Sequence, residues 1–73
     1  MHDPQKIEEA VLALLGVFQF DQGRCWKSYD WDVMNALHAQ GWITDPHSAA
    51  KSVYLTPEGQ ARAEALARQW FGA

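Results

Sequence analysis

A single cysteine with cations on both sides is the group in this chain best suited to covalent chemistry. Cys25 is the only cysteine among the 73 residues, and Arg24 and Lys27 would favour its thiolate if the thiol were exposed. A free cysteine is more often a small buried residue, and no histidine stands at a spacing that suggests a nucleophilic pair. We therefore predict a buried Cys25 and keep a reactive thiol as the alternative.

Asp30, Asp32 and His38 are of the types that bind metal ions. The two aspartates are two positions apart, so on a helix they point to different sides. Asp30 is better explained as a helix cap, and Asp32 as a charge that a helix N-terminus stabilises. We predict no catalytic residue, no metal site and no cofactor, and therefore a protein that is not an enzyme.

Charge and hydropathy narrow the classes of partner. The net charge of −3 and the pI near 5.4 do not suit a general nucleic-acid binder. The first apolar run already carries Glu8 and Glu9, unlike an export signal, and no stretch approaches the ~18 apolar residues of a membrane span. With only one cysteine, these features favour a cytoplasmic protein without a membrane partner.

The aromatic content is high for so short a chain. A length of 73 residues predicts one domain over 1–73, whose core alone rarely supplies more than ~3–5 kcal/mol. Two interpretations of the tryptophans stay open: one compact core that holds them all, or an interface, where tryptophan is enriched. The four are Trp26, Trp31, Trp42 and Trp70.

Three helices are predicted from caps and apolar periodicity. The first begins with Asp3 as N-cap and Pro4 as first residue, and fades near Phe20. Its spacing predicts one continuous buried stripe of Ile7, Ala10, Val11, Leu14, Leu15 and Phe18.

The second helix is predicted from about Trp31 to Gln40, with Asp30 or Ser28 as N-cap and Gly41 at the C-terminal cap. The third begins at Thr56 and Pro57. Its apolar stripe comprises Ala63, Leu66, Ala67, Trp70 and Phe71.

Extended segments separate these helices. Gly23 breaks the first helix, and a short extended piece follows over Arg24 to Lys27. Trp42–Thr44 and Ser52–Leu55 are predicted to pair as a β-hairpin around a loop of residues 45–51, with its register left open. The predicted fold class is mainly α with a small β-hairpin (α+β), that is, three helices and a two-stranded antiparallel wing.

Two stretches resemble known families. Gly41-Trp42-Ile43, a loop, and then Lys51-Ser-Val-Tyr-Leu-Thr-Pro-Glu-Gly resemble the wing of MarR-type and PadR-type regulators. This resemblance spans about residues 30–68 and implies a degenerate winged-helix-like domain. Lys6–Leu15, Trp26–Asp32 and Lys51–Gly59 also resemble a family of short, uncharacterised bacterial proteins, a resemblance that implies no activity.

The chain departs from the regulators where DNA would be bound. Only residues 21–29 are available for the supporting helix. The counterpart of the recognition helix, residues 30–40, has two aspartates and no Lys or Arg, although cations supply most DNA affinity. DNA binding therefore stays an alternative to protein binding, with Arg24, Lys27, Asn35 and Lys51 as the residues that would face the duplex.

The preferred interpretation is a protein–protein interaction or self-association module. Winged-helix proteins often dimerise through their terminal helices, and Trp70 and Phe71 lie near the chain end, where residues fray unless they are packed. We expect a homodimer in which residues 60–71 pack against the terminal helices of the partner. The expected anchors are Trp31, Trp42, Leu66, Trp70 and Phe71.

Overall fold

A computed structural model describes residues 2–72; Met1 and Ala73, the ends of the predicted domain, lie outside the described residues. It confirms three helices and a two-stranded antiparallel sheet, a mixed α+β arrangement. In chain order the elements are α1 (Pro4–Val17), β1 (Arg24–Trp26), α2 (Trp31–Ala39), β2 (Ser52–Tyr54) and α3 (Pro57–Phe71).

Side-chain caps set the helix starts where they were predicted. The Asp3 carboxylate accepts from the backbone N–H of Gln5, and the Asp30 carboxylate accepts at the start of α2. Thr56 Oγ1 accepts from Gly59 N–H at 2.9 Å. Each cap satisfies an amide that the helix itself leaves unpaired. Asp30, and not Ser28, is therefore the cap of α2.

The sheet pairs different strands from those predicted. β1 lies antiparallel to β2, with Cys25 opposite Val53, whereas the predicted hairpin survives only as one bridge between Ile43 and Leu55. The predicted antiparallel pairing of Trp42–Thr44 with Ser52–Leu55 is therefore confirmed only as this short bridge, beside which Thr44 N–H donates to the Tyr54 carbonyl at 2.9 Å. Trp42–Thr44 is not a strand of the sheet. The chain turns at Asp45 directly after that segment, where the Asp45 carboxylate accepts from His47 N–H, so too few extended residues remain for a ladder.

A tight turn brings β1 back beside α1. Asp21 and Gln22 adopt positive φ angles of 48° and 57°, and Gly23 follows at 116°. Phe20 and Arg24 exchange backbone hydrogen bonds of 2.8 and 2.7 Å across this turn. Residues 21–29 thus supply a strand where a complete helix-turn-helix has a supporting helix.

The core lies where α1 meets α2, α3 and the sheet. α1 is rotated from its predicted orientation: Leu12 and Ala13 are buried, whereas Ile7 and Phe18 are 41% and 70% exposed. The prediction of one continuous buried stripe is wrong for these two residues. The buried hydrophobic residues are Val11, Leu12, Ala13, Leu15, Cys25, Met34, Leu37, Ile43, Val53, Leu55, Ala63 and Leu66.

Close packing at Gly16 accounts for this rotation. A Cβ atom built on Gly16 would lie 2.8 Å from the Cβ of Ala63 in α3. The small side of α1 therefore faces α3, and its opposite side turns outward.

The start of α3 is held against the end of α2. Thr56 N–H donates to the Trp42 carbonyl at 3.0 Å, and Thr56 Oγ1 donates to the Gly41 carbonyl at 2.6 Å. A Cβ atom on Gly59 would lie only 1.9 Å from the Trp42 carbonyl oxygen. This contact explains the glycine in the Leu55–Gly59 run, because no other residue leaves room for the backbone.

We expect Gly59→Ala to cost about 3 kcal/mol or more in the free energy of unfolding, since the clash is with backbone and one end of a helix must move. Gly41→Ala is the control: Gly41 has a φ of 85° and nothing within 4 Å of its added Cβ, so only about 1 kcal/mol is expected. Urea unfolding followed by circular dichroism measures both. Equal losses would contradict the role given to the Trp42 contact.

Candidate functional site

The Cys25 thiol is buried inside the fold. Its side chain is 2% exposed, and Sγ lies 3.4 Å from the Leu15 carbonyl oxygen. Burial raises the pKa of the Cys25 thiol to about 11. The neighbouring Arg24 donates from Nε to Ser52 Oγ at 2.8 Å. Cys25 is therefore packed in the core, as the sequence predicted.

The side chains of the types that bind metal ions do not form a cluster. Asp30 caps α2, and Asp32 and His38 are exposed. Across residues 2–72, no group of three or more His, Cys, Asp or Glu side chains is placed to hold a metal ion. In the same range, no helix has the length and apolar character needed to cross a membrane.

Three of the four residues proposed to face DNA have partners within the chain. Arg24 lies 3.6 Å from the Asp21 carboxylate, and Lys27 Nζ donates to the Ser48 carbonyl at 2.8 Å. Asn35 Oδ1 lies 2.7 Å from a ring nitrogen of His47. Lys51 is exposed, and its carbonyl accepts from Lys27 N–H, so the two lysines lie side by side at one end of the sheet.

Three of the four tryptophans lie at the surface. Trp26 and Trp31 are each 55% exposed, and Trp70 is 43% exposed. Trp26 packs on Phe20, with ring centroids 5.0 Å apart, whereas Trp31 stacks on His47 at 5.2 Å. The interpretation that one core holds all four tryptophans is therefore wrong.

Two of the expected anchors belong to the packing of the monomer. Leu66 is 1% exposed, so the prediction that a partner contacts it is corrected: it faces the core from α3. Trp42 is half-buried, and its indole N–H donates to the Gln40 side chain. Gln40 in turn donates to the Glu8 carboxylate at 2.9 Å, which ties this end of α2 to α1.

Trp70 and Phe71 remain at the surface, near the first turn of α1. Lys6 Nζ lies 6.0 Å from the centre of the Trp70 ring, and Phe71 is 54% exposed. The antiparallel packing of α1 and α3 brings the start of α1 beside the end of α3 here.

An apolar row on the surface of α1 was missed from the sequence. Ile7, Ala10, Leu14 and Val17 follow one another at spacings of three, four and three along the side of α1 that turns outward, and Phe18 continues the row. We call these five residues the outer stripe. Ile7, Val17 and Phe18 are 41, 52 and 70% exposed, and the other two are half-buried.

One signal for the outer stripe was present in the sequence. Residues 10–18 read Ala-Val-Leu-Ala-Leu-Leu-Gly-Val-Phe, with no polar side chain. A helix that is apolar all round is normally covered on every side. In the monomer, this part of α1 is covered on only some of its sides.

Three surface hollows border the outer stripe. One of about 170 Å³ lies beside Ile7, between Pro4 and Val33. A second, of about 270 Å³, lies between Val17 and Ala67 of α3. The third, of about 380 Å³, is lined by Leu14, Phe18, Trp26 and Tyr29 among others. The stripe therefore forms a ridge with depressions on both flanks, a relief into which side chains of another helix can pack.

Comparison with known proteins identifies the family. Residues 3–73 match the Domain of unknown function DUF6429. The chain belongs to this family. It is also 44% identical over 69 residues to the uncharacterized protein y4hR of Sinorhizobium fredii, an alignment that covers 94% of this chain and 93% of the relative. No solved structure matches the chain.

Membership of this family confirms the resemblance to uncharacterised bacterial proteins. The match spans nearly the whole chain, so helices, sheet and outer stripe all lie within the shared domain.

We expect Cys25 to resist thiol reagents in the folded protein. With a pKa of about 11, only about one thiol in a thousand is ionised at pH 8, and the side chain is buried. Labelling with a maleimide at pH 8 should be slow in buffer and rapid in 6 M guanidinium, a denaturing concentration. Rapid labelling in buffer would restore the alternative of a reactive thiol.

Proposed function

We propose that this protein is a non-enzymatic module that associates with a second copy of itself through the outer stripe of α1. The supporting observation is the apolar ridge from Ile7 to Phe18, which extends about 16 Å along the helix axis and is only partly covered in the monomer. Contiguous apolar patches on a protein surface, when large, mark interaction sites.

The distribution of charge supports an interface at the same place. Residues 10–20 contain no Asp, Glu, Lys or Arg, and the centres of protein interfaces are depleted of charge. Trp70 and Phe71 are exposed beside the first turn of α1, where Trp70 lies near Lys6. This keeps α3 in the proposed interface, as expected from the sequence, and adds α1 as its centre.

Size gives a reason for self-association. An interface of ordinary size covers roughly 800 Å² of each copy, about a sixth of the 4839 Å² that a single copy exposes. Burying that area would add substantially to the stability of a domain of this size, whose core alone rarely supplies more than about 3–5 kcal/mol. We also propose a cytoplasmic location, because the one cysteine is a free thiol packed in the core and no disulfide is needed.

We expect the protein to dimerise at tens of micromolar and Val17→Lys to raise the dissociation constant at least tenfold. The exposed Val17 would lose about 1.5 kcal/mol of burial, which is about tenfold in affinity, and a buried ammonium costs more. Lysine near the C-terminus of α1 also favours the helix dipole, so the helix itself is retained. Analytical ultracentrifugation over a concentration series measures the constant.

Ala65→Lys is the matched control, because Ala65 is also exposed but lies on α3 away from the outer stripe. Its dissociation constant should stay within about twofold of the unsubstituted protein, since exposed substitutions rarely exceed ±0.5 kcal/mol. Circular dichroism checks that both variants keep their helices. A strict monomer at tens of micromolar, or equal effects of the two lysines, would refute the proposal.

DNA binding by a degenerate winged-helix-like domain is the alternative function, and the adjacent Lys27 and Lys51 are the observation that favours it. With a net charge of −3 and two aspartates at the start of α2, we expect no retardation of a random duplex at 150 mM salt. The same gel-shift assay at low salt detects weaker binding, because fewer salt ions compete for the DNA phosphates. Salt-dependent binding that Lys27→Glu with Lys51→Glu abolishes would establish the alternative instead.

A further inference from the structure

We infer that the second copy lies with its α1 antiparallel on the outer stripe, and that Phe18 of each copy inserts into the hollow between Pro4, Ile7 and Val33 of the other. This rests on the proposed self-association and names the orientation of the partner and the residue that anchors it. Four observations lead to it: stripe spacing, the exposure of Phe18, the position of the hollow and the charges at the ends of α1.

The four residues of the outer stripe that lie within α1 are spaced symmetrically about position 12. Ile7 and Val17 are each five positions from it, and Ala10 and Leu14 are each two. When an identical helix is reversed on this one, Ile7 therefore meets Val17, and the small Ala10 meets the larger Leu14. Each layer is apolar, and small residues oppose larger ones, which is how helices interdigitate without voids.

Phe18 is the side chain in the described residues with most to gain from a partner. It is 70% exposed, more than any other large hydrophobic residue described. It follows Ile7 by about 16 Å along the helix axis, so reversal brings it to the level of Lys6, next to Ile7 of the other copy.

A matching hollow lies at that level. The depression of about 170 Å³ beside Ile7 is lined by the apolar Pro4 and Val33 and by the acidic Glu8 and Asp32. It lies on the flank of α1 that meets α2, and Phe18 lies on the flank that meets β1, both away from α3. A two-fold axis perpendicular to α1 keeps these flanks on the same side, so each Phe18 faces the hollow of the other copy.

The charges at the ends of α1 also favour the reversed orientation. Lys6 is the cation beside the stripe, and the last turn of α1 contains no basic residue. Antiparallel packing brings Lys6 of one copy to the C-terminal end of the other helix, where the backbone dipole is negative. Parallel packing would instead place Lys6 against Lys6 and Asp3 against Asp3.

Disulfide trapping tests the orientation. Ile7→Cys and Val17→Cys, both at exposed positions, are mixed in equal amounts and oxidised under mild conditions. The antiparallel arrangement predicts a disulfide between the two variants, while each variant alone stays unlinked because its own cysteines lie about 15 Å apart along the axis. The unsubstituted protein is the control, since its buried Cys25 should not cross-link.

The converse pattern, in which each variant links to itself and no mixed disulfide forms, would establish a parallel dimer and overturn this inference, while the proposed self-association would stand. A protein that is monomeric by ultracentrifugation and forms neither product would refute both. The mass measured by ultracentrifugation tests the proposed self-association, and the cross-linking pattern tests the antiparallel orientation.

A second experiment tests whether Phe18 inserts into the hollow beside Val33. Phe18→Ala removes the inserted ring and Val33→Phe fills the hollow, so we expect each to raise the dissociation constant about tenfold or more. In the double variant the enlarged residue 33 occupies the space that Phe18 vacates, so the combined effect should fall well below the product of the two. Strictly multiplicative effects, with helicity unchanged in all variants, would place Phe18 outside the hollow.

Discussion

The close approach of α1 and α3 at Gly16 and Ala63 is the constraint on which the rest of the structure depends. Two helices can come this near only where both present small side chains, because a Cβ atom on Gly16 would already lie 2.8 Å from that of Ala63. That contact sets the rotation of α1 about its axis. Ala13 and Gly16 face α3, and Leu12 faces the core. The row from Ile7 to Phe18 lies on the opposite side of the helix and therefore faces outward.

The start of α3 is set by a second close contact. Gly59 lets the backbone of α3 rest on the carbonyl of Trp42, and Thr56 joins the same two segments by hydrogen bonds. The helix therefore leaves the sheet in one direction and ends with Trp70 beside Lys6. The two contacts together leave one apolar side of α1, the outer stripe, at the surface, which is the physical basis for proposing that this domain acts in protein association.

The outer stripe could be detected in the sequence only as an excess of apolar residues in α1. A run of nine residues without a polar side chain indicates that every side of the helix is covered, but not by what. Leu66 illustrates the opposite error: its position in an apolar stripe near the chain end suggested an anchor, whereas it packs in the core. Periodicity identifies an apolar side chain, and only its neighbours decide whether that side chain is inside.

The sequence by itself determined where the helices begin, because a cap such as Asp3 or Thr56 binds an amide two or three residues away and needs no distant partner. It also determined the α+β class and the absence of Lys and Arg from α2. The tertiary structure alone decided that β2 pairs with β1, a contact between Cys25 and Val53 across the whole of α2, and which side of α1 faces outward. Strand partners and helix rotation depend on packing between residues far apart in the chain. A local sequence pattern therefore does not predict them.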